Sequence, residues 1–445
     1  MAGKKTQAQL TPEEKLQQAL VPEAEQPYKV PANWCWTYLK NVSDCLDNFR
    51  KPINANERNA RLGDVPYYGA TGQVGWIDDY LTNEELVLLG EDGAPFLDLL
   101  KNKAYLINGK AWVNNHAHIL RSKFGTMGNR LLIEYLNSFD FTGFVTGTTR
   151  LKLTQASMNK IIIPLVPLAE QQRIVERIES LFAKLDEAKE NMQNVLEGFE
   201  TRKAAILHKA FTGELTAKWR KQHGVSMDTW EEKKLGDVTD ILSSKRIYKN
   251  EYVNEGIPFF RSSEIVDLYE YGYTEPKFFI SKDRYDEINK KYGVPEVGDL
   301  LVTSVGTIGK TWIVDERKFY YKDGNITQVK KNSSINMKYL NYFICSENFK
   351  KQVSDTVAGT AYNALTIIKF KNILISIPTL PEQTEIVRII DGLLAKEQQA
   401  NELSENALAK IDLIKKAILA RAFRGELGTN NPADEPAIEL LKRVL

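Results

Sequence analysis

The sequence contains two copies of a long segment, and this repetition constrains the possible folds more than any other feature. Leu168–Leu215 and Leu380–Leu427 align without a gap at an offset of 212, and 22 of their 48 positions are identical. Upstream, four residues recur at an offset of 196, as Trp34/Trp230, Leu39/Leu235, Val42/Val238 and Asp44/Asp240. A duplicated frame of this kind predicts a molecule with pseudo-two-fold symmetry.

The segments between these shared parts hardly match, and they differ in length by 16 residues. The first insert spans about Trp34–Pro164 and the second about Trp230–Ser376. Strand-like runs such as Glu85–Leu89 and Ala111–Asn114 alternate with glycine-rich turns, which predicts mixed α and β structure. Similar frames around dissimilar inserts predict two recognition domains with different targets.

Each repeat ends in a long helical pattern. Apolar residues alternate at spacings of four and three, which is typical of a coiled coil. The first seam is Ile174, Ile178, Leu181, Leu185, Ala188, Met192, Val195 and Phe199, and the second is Ile386, Ile390, Leu393, Ala400, Ala407, Ile411, Ile414 and Ile418, interrupted by Glu397 and Ser404. Each helix follows a strand-like run, Ile161–Pro167 or Ile373–Pro378, and ends near Gly213 or Gly425. A helix of roughly 40 residues is about 60 Å long.

We therefore predict an α+β protein with a pseudo-two-fold internal repeat. Two globular α+β recognition domains are separated and joined by two long antiparallel coiled-coil helices. The N-terminal stretch Leu10–Glu23 is expected to pack near the C-terminal repeat. The predicted divisions are an N-terminal segment 1–33, recognition domain 34–166, spacer helix region 167–215, linker 216–229, recognition domain 230–377, spacer helix region 378–427 and tail 428–445.

Composition limits the class of function. Charged residues make up 26% of the chain but the formal net charge is only +1, whereas proteins that coat nucleic acid without specificity are far more basic. DNA binding must then come from local basic surfaces or be completed by a partner. Cys35, Cys45 and Cys345 show no paired spacing, and the sequence begins without the apolar core of a signal peptide. With no apolar run of 18 residues, the chain is expected to be cytoplasmic.

Candidate DNA-contacting residues lie in polar clusters of both inserts. Amide, hydroxyl and arginine side chains hydrogen-bond base edges, and lysine and arginine bind phosphates. The alternative for each such residue is an ordinary solvated turn. The candidates are Tyr67, Tyr68, Thr71, Gln73, Asn114, Asn115, His116 and Arg150 in the first insert, and Arg261, Ser262, Ser263, Ser304, Thr307, Lys310, Tyr362 and Asn363 in the second.

Two motifs resemble catalytic or metal sites without completing them. Ser304–Thr311 approaches a phosphate-binding P-loop, but Ser304 stands where that loop needs glycine, and a strand-like run follows where it needs a helix. His116 and His118 are expected on one face of a strand, yet two ligands without a cysteine or carboxylate cluster do not make a zinc site. We predict no metal and no catalytic residue, which favours a binding role.

The doubled motifs resemble those of the specificity (S) subunit of type I restriction–modification enzymes, over nearly the whole chain. They are the repeated Leu-x-Glu-Gln-x-x-Ile-Val at Leu168–Val175 and Leu380–Val387, and the repeated Ala-Phe-x-Gly-Glu-Leu at Ala210–Leu215 and Ala422–Leu427. Gly298–Lys310 and Val113–His116 are similar to pieces of this family's target recognition domains.

The resemblance implies that each insert recognises half of a split, asymmetric DNA site and that the helices set the gap between the halves. It implies partners: double-stranded DNA, two methyltransferase (M) subunits that use S-adenosylmethionine, and restriction (R) subunits that use ATP and Mg²⁺. No cofactor is expected on this chain and no membrane. M docking is expected at the helices and around both Gly-Glu-Leu turns, at Phe211, Glu214, Phe423 and Glu426.

Two other functions remain open on the sequence. One is a free-standing enzyme, such as a P-loop nucleotide hydrolase. The other is a coiled-coil scaffold with two protein-binding domains. A third possibility is a related subunit that serves a different restriction arrangement.

Overall fold

The computed structural model describes residues 10–357 and 364–445. Up to residue 197 the helices are α1 (Pro12–Ala19), α2 (Leu39–Val42), α3 (Ala55–Ala60), α4 (Gly125–Ser138), α5 (Gln155–Met158) and α6 (Leu168–Glu197). The strands of this part are β1 (Cys35–Tyr38), β2 (Ser43–Cys45), β3 (Val65–Gly69), β4 (Gly72–Ile77), β5 (Thr82–Asn83), β6 (Leu86–Gly90), β7 (Ala104–Ile107), β8 (Lys110–Val113), β9 (Ala117–Ser122), β10 (Val145–Thr146), β11 (Lys152–Leu153) and β12 (Ile162–Leu165).

The second part of the chain repeats this alternation. Its helices are α7 (Phe199–Phe211), α8 (Ala217–His223), α9 (Leu235–Val238), α10 (Ser262–Tyr271), α11 (Lys282–Tyr292), α12 (Met337–Ile344), α13 (Glu347–Val357), α14 (Ile367–Lys371), α15 (Leu380–Phe423) and α16 (Ala437–Val444). Its strands are β13 (Glu231–Lys234), β14 (Ile241–Leu242), β15 (Tyr252–Val253), β16 (Ile257–Phe260), β17 (Phe279–Ile280), β18 (Leu300–Thr303), β19 (Thr311–Ile313), β20 (Tyr320–Tyr321), β21 (Ile326–Val329) and β22 (Leu374–Ile377). Over the described ranges, no helix is long and apolar enough to cross a membrane.

The two long helical patterns differ in continuity. α15 runs unbroken for 44 residues, through the polar seam positions Glu397 and Ser404. The first pattern was expected to form one helix, but it breaks between α6 and α7 at Gly198. There the Arg202 guanidinium donates to the Val195 carbonyl at 2.7 Å, and a Cβ on residue 198 would meet Arg202 Nη1 at 2.3 Å. The absence of a side chain at Gly198 thus leaves room for the Arg202 guanidinium, which donates to a carbonyl that a helical backbone amide would otherwise bind.

The described chain forms two compact units. Unit 1 contains residues up to Met192 together with Asn406–Leu445, and unit 2 contains Gln193–Glu405. Each unit therefore combines one insert with the start of the helix that follows it and the end of the other repeat's helix. The predicted domain boundaries stay predictions. The boundaries of the compact units differ from them, because each unit includes part of both long helical regions. The stretch predicted as a linker, 216–229, contains α8.

One four-stranded sheet has the same strand order in both inserts despite their dissimilar sequences. In unit 1 a four-stranded sheet has the order β2-β9-β6-β7, and in unit 2 the corresponding order is β14-β21-β18-β19. The second sheets, β4-β3-β8-β5 and β15-β17-β16-β20, each contain a parallel pair, β3 with β8 and β16 with β20. Each insert also opens and closes with a paired antiparallel strand, β1 with β12 and β13 with β22. The predicted fold class, with its internal repeat, is confirmed.

The helices are antiparallel within each unit, as predicted. In unit 1, Asp186 pairs with Lys415 at 2.6 Å, and the earlier residue Arg173 pairs with the later Asp434. In unit 2, Arg202 pairs with Glu397 at 2.7 Å and Arg220 with Glu382 at 2.6 Å. In each unit, the residue numbers along one segment increase while those of its paired segment decrease, so the two segments run in opposite directions. The helix α1 also packs against α16 in the tail. Leu16 and Leu20 pack against the core that contains Leu419 and Phe423, so the N-terminal stretch lies near the C-terminal repeat as expected.

A buried carboxylate closes unit 1. Glu170, which is 0% exposed, accepts a hydrogen bond from the indole of Trp34 at 2.7 Å. It also accepts from Asn430 Nδ2 at 2.9 Å and from Thr429 Oγ1 at 3.1 Å. Glu170 therefore joins the start of the insert, the start of α6 and the chain beyond α15.

The same carboxylate recurs in unit 2. Glu382, also 0% exposed, accepts from the indole of Trp230 at 3.1 Å, from Thr216 Oγ1 at 2.6 Å and from the Arg220 guanidinium at 2.6 Å. The neighbouring glutamines are equivalent too, because Gln171 donates to Val166 O at 3.0 Å and Gln383 to Pro378 O at 2.9 Å. The repeated Leu-x-Glu-Gln motif is thus a structural joint rather than a ligand-binding element.

Replacing either buried carboxylate by an amide is expected to destabilise its unit. Glu170→Gln should lower the free energy of unfolding by roughly 2–4 kcal/mol, because the amide NH₂ would face hydrogen-bond donors. Glu382→Gln should cost about 3–5 kcal/mol, because it also leaves the buried Arg220 without its ion-pair partner. Urea unfolding measures both. Glu187→Gln, an exposed position on α6, is the control, and equal stability of all three variants would contradict the joint.

Candidate functional site

The β3–β4 hairpin of unit 1 presents part of the first predicted set. Thr71 and Gln73 are exposed at its tip, and Tyr68 is half-buried. Tyr67, in contrast, is 1% exposed, and its hydroxyl lies 3.3 Å from the Ile53 amide that donates to it. The structure therefore contradicts a DNA-contacting role for Tyr67, because its ring fills the core that supports the hairpin.

Cationic side chains stack on aromatic rings beside this hairpin. The Arg58 guanidinium lies 5.0 Å from the centre of the Tyr67 ring, and Arg61 lies 4.9 Å from that of Trp112. Lys51 approaches the same Trp112 ring at 5.7 Å. Stacking holds these charges in place. Arg61 also pairs with Asp78 at 2.7 Å, whereas Lys51 and Arg58 have no ion-pair partner among the described residues, as a phosphate-binding surface requires. The sequence analysis missed this cluster, although Arg58 and Arg61 lie just before the hairpin.

Three loops of unit 1 meet at Asp92. Its Oδ1 lies 2.7 Å from Nδ1 of His116 and 2.6 Å from an Nη of Arg150. The Arg150 side chain is 60% exposed, whereas that of Asp92 is only 19% exposed. Asn115 is exposed beside His116, but Asn114 is buried and its Oδ1 accepts from the His116 amide at 2.8 Å. Asn114 thus shapes the turn, and the prediction that it contacts DNA is wrong because it lacks a free surface.

A second ionic layer lies beneath these residues. Glu91 pairs with Arg50 and, at 3.0 Å, with Lys152, and Arg50 also pairs with Asp47 at 3.0 Å. His118 is buried, with Nδ1 2.7 Å from Asp47 Oδ2 and Nε2 2.9 Å from Leu153 O. His116 and His118 therefore do not share one face as expected, because His116 precedes strand β9 and only His118 points into the core.

Charge and burial oppose each other at the carboxylates of this layer. Burial alone would raise the pKa of Asp47, but hydrogen bonds from His118 and the Ile119 amide, with the Arg50 charge, hold that pKa below its usual range. Burial likewise opposes the hydrogen bonds from Arg50 and Lys152 to Glu91, and these bonds prevail and lower its pKa. Both carboxylates therefore stabilise unit 1 in their ionised forms.

One group of potential metal ligands occurs among the described residues. Ligand atoms of Cys45, Asp47 and His118 lie within 4.8 Å of one another. Both nitrogens of His118 already face acceptors, and burial raises the pKa of the Cys45 thiol to about 11, which disfavours the thiolate that metals bind. The group is a hydrogen-bonded support for the loops above it, and the absence of metal from this chain stays a prediction.

In unit 2, part of the predicted set surrounds the start of α10. The Arg261 guanidinium stacks 4.3 Å from the centre of the Phe278 ring and pairs with Glu264 at 3.3 Å. Ser262 is half-buried and Ser263 is exposed. Two further predicted residues, Tyr362 and Asn363, lie outside the described residues. The polar side chains that the structure places at this helix start are therefore Arg261, Ser262 and Ser263.

The turn from Ser304 to Lys310 is not a nucleotide-binding loop. It connects β18 to β19, so a strand follows it, as the sequence analysis expected. Ser304 is 2% exposed and its hydroxyl lies 2.6 Å from that of Thr327, so the prediction that Ser304 contacts DNA is wrong. Thr307 is exposed. Lys310 pairs with Glu270 at 3.0 Å and its ammonium lies 4.3 Å from the centre of the Tyr269 ring, and for Lys310 the DNA contact stays a prediction.

Lys310 lines a cleft of about 900 Å³ inside unit 2. One wall is α7, and the other walls are the C-terminal end of α10, the β18–β19 turn and α13. Unit 1 holds a cleft of about 850 Å³ between α4, α6, the segment before β7 and the end of α15. We call these the unit 2 cleft and the unit 1 cleft.

The two clefts use the same repeat positions. Four helix residues line the unit 2 cleft, and four residues at an offset of 212 line the unit 1 cleft: Glu200/Asp412, Lys203/Lys415, Ala204/Lys416 and Leu207/Leu419. Both first members are acidic and exposed, and neither has an ion-pair partner among the residues that the structure describes. Both clefts therefore have an acidic residue, a lysine and a leucine at equivalent positions. Two such clefts suit a ligand that binds once to each unit.

The Gly-Glu-Leu turns lie at the same ends of the helices. Phe211 is buried against Tyr339 with ring centres 5.2 Å apart, and Phe423 against Tyr135 at 5.0 Å. Their predicted role in docking a partner is thus corrected, because both rings already fill the cores of their units. Glu214 and Glu426 are exposed, and for them the docking role stays a prediction.

Comparison with known proteins shows which family the chain resembles. Residues 32–197 and 227–407 match the family described as type I restriction modification DNA specificity domain. A protein of Haemophilus influenzae, provisionally named as a type I restriction enzyme specificity subunit, is 30% identical over 83% of this chain and 89% of its own length. The Escherichia coli EcoKI specificity subunit is 29% identical over 63% of this chain and 61% of its own length.

A solved structure supports the fold. The HsdS subunit from Thermoanaerobacter tengcongensis superposes with a TM-score of 0.63 over 91% of this chain and all of that chain, at 19% identity. At this identity the likeness concerns the fold alone.

The lowered pKa of Asp47 predicts a pH-dependent contribution to stability. A carboxyl whose pKa is lower in the folded than in the unfolded chain stabilises the fold above its unfolded pKa of about 4, and this contribution is lost as the pH falls through the folded pKa. Asp47→Asn should therefore cost roughly 1–3 kcal/mol at pH 7. The difference from the unsubstituted chain should shrink below about pH 4. Denaturant unfolding as a function of pH measures it, with the exposed Asp64→Asn as control, and a pH-independent difference would refute the ionic role.

Proposed function

The chain belongs to the type I restriction–modification DNA specificity family, and we propose that it recognises a bipartite, asymmetric DNA site for a methyltransferase and nuclease complex. Each unit binds one half of the site. The chain carries no catalytic residue and binds no cofactor. It acts in the cytoplasm.

The observation that carries this proposal is a shared four-stranded sheet that supports two unlike surfaces. This sheet has the same strand order in both units, yet the equivalent loops carry different side chains. A protein that bound one ligand twice would keep the binding residues alike. Unlike residues on like frames suit two different half-sites, which is the geometry of an asymmetric target.

The exposed residues sort into two roles. The stacked cations Lys51 and Arg58 are suited to phosphates, which position a protein on the duplex without giving sequence information. Base edges are assigned to polar side chains on the loops, because these carry donors and acceptors in defined places. They are Tyr68, Thr71, Gln73, Asn115, His116 and Arg150 in unit 1, and Arg261, Ser262, Ser263 and Thr307 in unit 2.

Two methyltransferase subunits are the proposed occupants of the two clefts. The clefts occur once per unit, at equivalent repeat positions, on the helices α7 and α15 that precede the exposed Glu214 and Glu426. Acidic and basic side chains line each cleft together with a buried leucine, and such a lining suits an amphipathic protein segment. S-adenosylmethionine binds to these subunits, and ATP and Mg²⁺ bind to restriction subunits that join through the complex.

A methylation map tests the function. The chain is co-expressed with the methyltransferase encoded beside it, and the host DNA is sequenced by a method that detects methyladenine. We expect one asymmetric motif divided by a gap of fixed length. Absence of new methylation from a well-expressed pair would refute DNA recognition by this chain.

Charge reversal in the clefts tests the docking. Glu200→Lys or Asp412→Lys should each reduce the complex from two methyltransferase subunits to one, and the double variant should bind none, because each cleft loses its unpaired acidic group. Light scattering of the purified complex gives the stoichiometry. Glu187→Lys with Glu405→Lys, exposed helix positions outside both clefts, is the matched control. Two bound subunits on the double cleft variant would contradict this docking site.

A further inference from the structure

The loops around Asp92 have an equivalent in unit 2 that the backbone defines. In unit 1 the Glu91 amide donates to His116 O at 2.8 Å, and the Leu153 amide donates to Glu91 O at 2.7 Å. In unit 2 the Ser304 amide donates to Asn325 O at 2.8 Å, and the Leu365 amide donates to Ser304 O at 2.9 Å. Isolated bridges, Asp92–Lys152 and Val305–Ala364, continue the correspondence. The same three segments are therefore fastened in the same way.

The side chains at these equivalent positions differ in chemistry. Asp92 corresponds to Val305, and His116 corresponds to Asn325. An anionic acceptor and an imidazole in one unit thus stand where an apolar group and an amide stand in the other. A constant backbone with variable side chains is what two units need if they present different groups to two different half-sites.

Asp92 fixes the direction of an otherwise exposed arginine. A single oxygen of its carboxylate contacts both His116 and an Nη of Arg150. The remaining nitrogens of the guanidinium, Nε and the other Nη, have no hydrogen-bond partner among the described residues. Gly93, at φ +72°, lies beneath the guanidinium, and a Cβ there would come within 3.3 Å of Arg150 Nε. The arginine is held over bare backbone with most of its donors free.

The support beneath Asp92 is rigid for a surface loop. Its neighbour Glu91 is bound to both Arg50 and Lys152, and Asp47 ties Arg50 to the buried His118. Loops that are braced from below hold a contact residue in one geometry, which reduces the entropy lost when it binds. An exposed ion pair that merely solubilised the surface would not require this second layer.

We propose that Asp92 is a positioning residue that aims Arg150 at a guanine in the half-site bound by unit 1. The equivalent positions 92/305 and 116/325 then contribute to the difference in sequence between the two half-sites. Guanine is the base assigned because its N7 and O6 are two adjacent acceptors that match the paired donors of a guanidinium. This inference rests on the proposed DNA recognition and adds the residue and the base.

Methylation maps of variants, co-expressed with the methyltransferase, test the assignment. Arg150→Ala and Asp92→Ala should each relax the motif at one G·C pair of one half-site, lowering discrimination at that pair by roughly tenfold or more, and leave the other half unchanged. Arg150→Lys should relax the same pair, because lysine keeps the charge but loses the paired donors. Asp92→Asn tests positioning without a change of side-chain size, and it should relax the same pair more weakly.

The matched control is Asn325→Ala, whose effect is expected only in the other half-site. Thermal unfolding of each purified complex, together with the methyltransferase stoichiometry, separates loss of structure from loss of specificity. A motif that stays intact in Arg150→Lys, or uniformly weaker methylation of an unchanged motif in Arg150→Ala, would indicate a phosphate contact and overturn the assignment. Changes in both half-sites would also overturn it. If the unsubstituted chain directs no methylation, the proposed function fails instead.

Discussion

The fold depends on two carboxylates that are removed from water and fully committed to partners. Glu170 and Glu382 each receive an indole N–H from the residue that opens an insert, and donors from the chain that leaves the other repeat's helix. A buried charge without such donors would be costly, so the segments that supply them must all be present together. One carboxylate thereby specifies which helix end belongs with which insert. The stability and the pairing of each unit rest on the same group.

This joint separates what must stay constant from what can vary. The indole, the carboxylate and the glutamine beside it lie at the edges of the inserts, whereas the loops around Asp92 and Val305 lie far along the sequence from them. Backbone hydrogen bonds keep those loops in place, so their side chains are free to differ. The protein can therefore hold one architecture while its two surfaces carry unlike chemistry.

Periodicity and repetition predicted most of the architecture. The spacings of four and three predicted the long helices, and the strands at 86–90, 162–165, 311–313 and 374–377 lie where apolar runs were found. The break at Gly198 escaped prediction, because it depends on Arg202, whose guanidinium also binds the distant Glu397. Gly198 is a local sign of a break within a helical pattern, but the contact between Arg202 and Glu397 is not recorded locally.

The candidate site was less predictable than the fold. Thr71, Gln73, Asn115 and Arg150 are exposed as a polar composition suggests, but Tyr67, Asn114 and Ser304 are buried. Hydroxyl and amide side chains occur both on the surface and in the core, because a buried polar group is stable when it has hydrogen-bond partners. Asp92 was overlooked because its importance comes from three loops that converge only after folding.

Each unit contains the end of the other repeat's helix, and this arrangement determines the order in which the two cores can be completed during synthesis on the ribosome. The core of unit 1 contains Leu419, Phe423 and Leu440 as well as Trp34 and Leu131, so its first-made part lacks apolar partners until the last residues emerge. Among the described residues, the buried part of the corresponding core in unit 2 extends from Leu207 to Ile390. Chains usually fold from the N-terminus as they are translated. Here the unit that begins the chain is the second one whose largest core can be completed, whereas the smaller cluster of Leu86, Leu88 and Ile119 within its insert needs no later residue.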